Sequence, residues 1–236
     1  KRKENDFDYV SQNQLKSMLF KGTSLENPAS GSIESISKIK LDDIKKFVSK
    51  TINLNNLIIV AGGDFDIKEF EELLKPFLTT LEVGEKNEFE KIEFNSKNEE
   101  KTLIKDTQQA YIYFGSSFNI DSQDEENYKA KVASFILGGS GFGSRLMEEI
   151  RVKRGLAYSA YGSISINKSH SYFNGYLQTK NESAEEAQKL VSQLVSQFVE
   201  HGVTQEELTA SKNFLTGSEP LRSETLSQRL NRAFTL

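Results

Sequence analysis

Two runs rich in aromatic and β-branched residues, 157–166 and 172–179, are separated only by the polar stretch 167–171. Runs of this kind favour a pleated, half-buried surface and predict two consecutive strands. Ser183 with Glu186 forms a capping pattern directly after them, and Ala187, Leu190, Leu194 and Phe198 then fall at helical spacing. Thr204 with Glu207 repeats the capping pattern for a further helix. An earlier stretch echoes this block. The apolar run 57–61 reads as a buried strand, and after Gly62-Gly63 a helix opens at Asp66 and Glu69, lined by Phe70, Leu73, Leu74 and Phe77. Helical spacing also marks 7–20, 41–48, 128–136 and 224–236, and the aromatic run 110–116 predicts another strand. The pattern is that of an α+β fold, with antiparallel-rich mixed sheets covered by helices on one face. Residues 84–98 are densely charged and read as a linker between a unit at 1–83 and a second unit at 99–236.

Composition narrows the functional classes. Of 236 residues, 36% are hydrophobic and 27% charged, with sixteen Phe and eight Tyr, enough bulky material for a sizeable core. The net charge is −4 with both signs interspersed, so no electrostatic case exists for nucleic acid or an anionic membrane as a partner. Cysteine is absent, which removes disulfides, thiolate metal sites and thiol nucleophiles. No apolar run approaches the roughly 20 residues of a membrane span. The chain starts Lys1-Arg2-Lys3 without an initiator Met and reads as a fragment of something longer.

Three features invite chemical readings. Gly138-Gly139-Ser140-Gly141-Phe142-Gly143-Ser144 is glycine-rich, but it follows a helix and is continued by Arg145, whereas a phosphate loop follows a strand and ends in Lys-Ser or Lys-Thr. It predicts a sharp helix–helix bend, and a nucleotide-binding module is the weakest reading of the chain. The two histidines, His170 and His201, lie 31 positions apart without metal-ligand spacing. A catalytic zinc needs about three protein ligands, so both read as solvated residues. The basic run Arg151, Lys153 and Arg154 is, in its plainest reading, a helix end whose cations complement the helix dipole.

Taken together, Leu137-Gly138-Gly139, the string GSRLMEEIRVKRGLAYS at 143–159, LDDIKKFVSKTINLNNLIIVAGGDFD at 41–66 and GVTQEEL at 202–208 resemble the C-terminal half of insulinase/pitrilysin-type zinc peptidases, the inverzincins, which include the mitochondrial processing peptidases. The resemblance covers almost the whole chain in the family's order. It implies two related α+β domains, the first incomplete here. It also implies that Arg151 and Tyr158, seven residues apart, are the paired residues that bind peptide substrate and stabilise the transition state. The departures are as informative. The H-x-x-E-H motif and distal Glu of the family lie upstream of the helix that 7–20 resembles, and Thr23-Ser24-Leu25-Glu26 replaces the loop often written H-P-Y-G.

The resemblance therefore implies the peptide-binding portion of a zinc-dependent metalloendopeptidase acting on unfolded polypeptides in a clamshell chamber. Zinc would belong to the complete enzyme and not to this chain, which alone would be inactive. The implied partners are a polypeptide substrate and a second copy or a zinc-bearing subunit of the same family. The alternative is a silent structural subunit resembling the core proteins of the respiratory bc1 complex. Bacterial members are often exported, which leans the setting towards the periplasm.

Overall fold

The computed structural model describes residues 5–95 and 97–235. The basic start Lys1-Arg2-Lys3 lies outside them. Contacts group the chain into two compact units, each assembled from separated stretches: 1–31 with 90–211, and 32–89 with 212–236.

The first unit is built on a three-stranded antiparallel sheet of β1 (Gln109–Ser117), β2 (Ala157–Ile166) and β3 (Ser171–Lys180), ordered β1-β3-β2. The predicted strands are thus paired with one another, and the side chains of β3 alternate strictly. Ser171, Phe173, Gly175, Leu177 and Thr179 are buried, while Tyr172, Asn174, Tyr176 and Gln178 are only half so. Period-two alternation of this kind gives the sheet one core face. Against it packs α6 (Ala184–His201) through Ala187, Val191 and Leu194, together with Leu137, Leu146 and Ile150 from the glycine-rich bend region. Ser183 makes no side-chain cap bond; a 3-10 turn, Asn181–Ser183, starts this helix instead. By contrast, Thr204 and Glu207 do close the predicted reciprocal box, at 3.1 and 2.8 Å, at the entry to α7 (Gln205–Ser218).

The other face of the sheet is only partly covered. Helix α1 (Phe7–Leu19), capped by Asp6 on the Tyr9 amide, lies against β1. Gly115 makes this approach possible, since a Cβ there would meet the Leu19 side chain at 3.2 Å. Phe20, just past α1, packs its ring against Phe94, His170 and Tyr172 at 5.1, 5.1 and 5.4 Å between centroids. His170 is therefore not the solvated residue its turn position predicts. It is half-buried among rings, and desolvation lowers its pKa below the usual 6.5.

The second unit contains α2 (Ile33–Ser37), α3 (Leu41–Thr51), α4 (Ile67–Leu78) and α8 (Leu226–Thr235). Asp66 caps α4 as predicted, accepting from the Lys68 and Glu69 amides. Asn53 is a buried polar hub that donates to Lys50 and Glu85 carbonyls and accepts from the Asn56 amide. The run 57–61 departs from expectation: it forms no ladder, and Ile58 and Ile59 are exposed. Strand character needs a paired neighbour, and among the described residues none lies beside it.

Candidate functional site

The predicted pair lies at the junction between the bend region and β2. Helical residues up to Ser134 (α5, Asn127–Ser134) continue into a π-helical turn, Phe135–Gly139, and the next helix is π-helical over Met147–Val152. Such turns carry one extra residue per hydrogen bond and recur at functional sites. Arg151 falls in the last turn of the second one. Gly155, at φ 62°, then adopts the left-handed conformation that lets the chain leave the helix and enter β2. At the start of β2 the register slips between Ala157 and Ser159, a bulge that leaves Tyr158 without a partner. A bulge re-aims its side chain out of the pleat, and Tyr158 is 78% exposed.

These local devices bring the two predicted residues together. The Arg151 guanidinium carbon lies 4.7 Å from the Tyr158 ring centroid and 4.7 Å from that of Phe142. The cation is thus held between two aromatic rings, an arrangement stabilised by the ring quadrupoles. Among the described residues neither the guanidinium nor the phenol of this pair makes a side-chain hydrogen bond. Their donors are positioned without being consumed.

The neighbouring cations are spent differently. Lys153 and Arg154 both bind Glu149 at 2.6 Å, and these bonds, that of Lys153 foremost, hold the Glu149 carboxyl below the usual carboxylate range. Arg145 forks onto Glu207 at 2.9 and 2.6 Å and also donates to the Gly202 carbonyl at 3.0 Å. Lys153 and Arg154 are thus neutralised by Glu149, whereas Arg151, which sits in the last helical turn where the plain reading sets a cation against the helix dipole, is held by rings.

Phe142 is a member of this cluster that the sequence does not single out; in the sequence it is one residue of a glycine-rich bend. A second missed feature adjoins it. A Cβ on Gly141 would lie 3.9 Å from the Tyr161 ring. Tyr161 stacks on Tyr176, and Tyr176 on Tyr113, at centroid separations of 5.4 and 5.5 Å, so one tyrosine from each strand forms a row across the open face. Their positions follow from the register, in which Tyr176 pairs with both Tyr113 and Tyr161.

A zinc site is not among these features. Among the described residues no group of three or more His, Cys, Asp or Glu could hold a metal ion, so the donor set they present does not fit a catalytic zinc. No helix of the described residues is long and apolar enough to cross a membrane.

Comparison with known proteins gives a consistent pattern. Residues 38–215 match the family model described as peptidase M16 inactive domain. A Helicobacter pylori protein called non-peptidase homolog YmxG is 47% identical over 233 residues, covering 99% of this chain and 54% of its own length. The Bacillus subtilis protein called uncharacterized zinc protease YmxG is 25% identical over 225 residues, covering 95% of this chain and 54% of its own. Among solved structures, the peptidase M16 inactive domain from Pseudomonas fluorescens superposes with a TM-score of 0.80 at 27% identity, over 92% of this chain and 52% of that one. A chain of complex III2 from Candida albicans gives 0.78 at 18% identity, over 95% of this chain and 55% of its own, a likeness of fold. The chain spans about half the length of the curated relatives it matches.

Proposed function

The chain belongs to the peptidase M16 inactive-domain family, and from that premise we propose that it is the peptide-gripping portion of a longer or multi-subunit M16-type protein. The observation that carries this reading is Arg151, held between Phe142 and Tyr158 with its donors uncommitted. A guanidinium and a phenol side by side offer charge-assisted and neutral hydrogen bonds to a peptide carbonyl oxygen, and they favour negative charge developing there. The aromatic sandwich fixes the guanidinium in advance, so little side-chain freedom is lost on binding. The boundaries near residues 83 and 99 would separate the two related domains of the longer protein. Zinc belongs in this reading to a region or subunit other than these residues, and polypeptide is the ligand.

A second reading, a silent partner subunit, is favoured by one finding: the 47% identical relative is called a non-peptidase homolog. Both readings keep the peptide grip and differ over cleavage. In the full-length protein, with any zinc-bearing partner supplied, Tyr158→Phe is expected to lower peptide cleavage by about 10²-fold, the usual effect of removing one such donor, with metal content unchanged. Arg151→Ala is expected to weaken binding of a fluorescent unfolded peptide, measured by anisotropy. Binding lost without any wild-type cleavage would select the silent subunit. Binding and cleavage untouched by both substitutions would end the assignment of the pair.

A further inference from the structure

The stretch 90–95 enters the first unit directly after the chain leaves the second at residue 89, and it is anchored without joining the sheet. Ile92, Phe94 and Asn95 are half-buried, whereas Lys91 and Glu93 are exposed. The Ile92 amide donates to the Ser169 carbonyl at 2.9 Å, and the Asn95 amide to the Leu19 carbonyl at 3.0 Å. The Asn95 side chain donates to the Met18 carbonyl at 3.1 Å, and Lys91 pairs with Asp121 at 2.5 Å. Phe94 lays its ring 5.1 Å from that of Phe20 and 6.4 Å from the His170 imidazole. A connection held by a few bonds and one aromatic ring opens locally more readily than a sheet does.

His170 stands at the centre of this anchorage, and its bonds favour the neutral ring. The Asn167 amide nitrogen, which can only donate, lies 3.4 Å from Nε2. Nε2 is therefore assigned as the acceptor, and Nδ1 as the nitrogen that donates to Ser169 Oγ at 2.8 Å. A second proton would sit on Nε2, against the Asn167 N–H, and both partners are uncharged. The titratable groups on the surrounding elements are Lys21 past α1, Glu90, Lys91 and Glu93 on the connection, Lys168 on the turn and Asp121 past β1. Lys91 and Asp121 neutralise each other, and desolvation is what lowers the His170 pKa. Tyr172 stacks on the imidazole at 5.6 Å but belongs to β3, so its attraction for a cation persists whether the connection is docked or not. The cover by Phe94 and the backbone bond at Ser169 do not persist, and only such a difference shifts an equilibrium.

We propose that His170 is a pH-sensitive latch for residues 90–95: neutral, it holds the connection to the turn between β2 and β3, and protonated, it lets the connection go. The latch is independent of the peptide-gripping role of Arg151 and Tyr158. Uncovered, the imidazole regains its ordinary pKa near 6.5. Above that pH the ring is neutral in both states and the latch holds in full. As pH falls through 6.5 the released state takes up the proton first. At tenfold per unit of pH, release at pH 5.0 is favoured by up to about thirtyfold. Release lengthens the unanchored run of the densely charged stretch 84–98, and a longer charged run spans a wider range of distances.

Amide hydrogen exchange of the full-length protein at pH 7.5 and 5.0, with each rate divided by its intrinsic value at that pH, tests the latch. Protection of the Ile92 and Asn95 amides is expected to fall in acid by up to about thirtyfold, while the amides of β3 keep theirs. His170→Phe should give the same protection at both pH values, and His170→Gln, which also carries no proton to gain, should do the same if the ring variant folds poorly. Phe94→Ala should lower protection already at pH 7.5. The bond from Lys91 holds the Asp121 carboxyl below the usual carboxylate range, so this pair stays charged over the window. Asp121→Asn is therefore expected to lower protection at both pH values and to keep the acid fall. No fall in the wild type, or a fall that persists in both His170 variants, overturns the latch. So does an equal loss of protection in β3, which would mean general unfolding, or full protection in Phe94→Ala at pH 7.5.

Discussion

Residue type alone does not separate the four cations between 145 and 154; their partners do. Arg145 is fixed by Glu207, Lys153 and Arg154 by Glu149, and Arg151 by rings alone. Arginine suits the last position because its planar, weakly hydrated group stacks on aromatic faces, which an ammonium does poorly. Arg151→Lys is thus expected to reproduce most of the binding loss of the alanine variant in the anisotropy assay. His170 offers an independent test of the packing around Phe20. Desolvation lowers its folded-state pKa below 6.5, so above about pH 6.5 the ring is neutral whether the chain is folded or not. As pH falls through 6.5 the unfolded chain takes up the proton first, and stability declines. His170→Phe removes this linkage. Urea midpoints at pH 7.5 and 5.5 are expected to fall less in the variant than in the wild type; an equal fall would mean that the ring is not desolvated in solution.

At the level of elements, local periodicity carried α1, α3, α4, α6, α7 and all three strands, because each is a run whose apolar spacing or turn chemistry is complete within itself. It failed where the outcome depends on something distant. The run 57–61 has strand composition, but a strand is a property of two chains of backbone, and no partner lies beside it among the described residues. The π-helical turns at Phe135–Gly139 and Met147–Val152 escaped for another reason: each is a single turn of five or six residues, too short to print a period of its own on the sequence. The first of these turns owes its fit to glycine. A Cβ at Gly138 would sit 2.3 Å from the Gly162 nitrogen, a backbone atom that cannot swing aside. Ser134 adds to this contact by accepting the Ile164 amide at 2.9 Å. Gly138→Ala is therefore expected to destabilise by about 2 kcal/mol or more, at the upper side of overpacking costs. Gly217→Ala in α7, where nothing lies within 4 Å and φ is ordinary, is expected to stabilise by about 0.5–1 kcal/mol, as for glycine within a helix. Equal effects of the two in urea denaturation would contradict the close approach.

For the molecule as a whole, the site was legible only in part, and the reason is geometric. Arg151 and Tyr158 stood out through a resemblance, yet their contact depends on the π-helical turn, Gly155 and the bulge acting together. Phe142 and the tyrosine row become visible only when strand register is known. The two units also differ in how completely they bury what the sequence makes apolar. In the first, the apolar positions of α6 and β3 close on a common core. In the second, Leu41, Ile44, Phe47 and Val48 form the expected stripe on α3, yet all four are exposed, Phe47 by 65%. Ile58, Ile59 and Leu73 add to the uncovered apolar surface of that unit. Contiguous apolar surface of this kind drives association in water. The 236-residue chain alone is thus expected to bind a hydrophobic dye and to self-associate at micromolar concentrations in sedimentation velocity. Replacing Ile44 and Phe47 together by lysine should reduce both signals, because two charges interrupt the stripe while its helix is preserved. The same pair of substitutions in the full-length protein makes the decisive contrast. If further chain covers this face there, burying two lysines must lower the thermal midpoint by several degrees, since an unpaired buried charge is costly. An unchanged midpoint, with a chain that stays monomeric and dark to the dye on its own, would mean that the α3 stripe is an ordinary solvated surface.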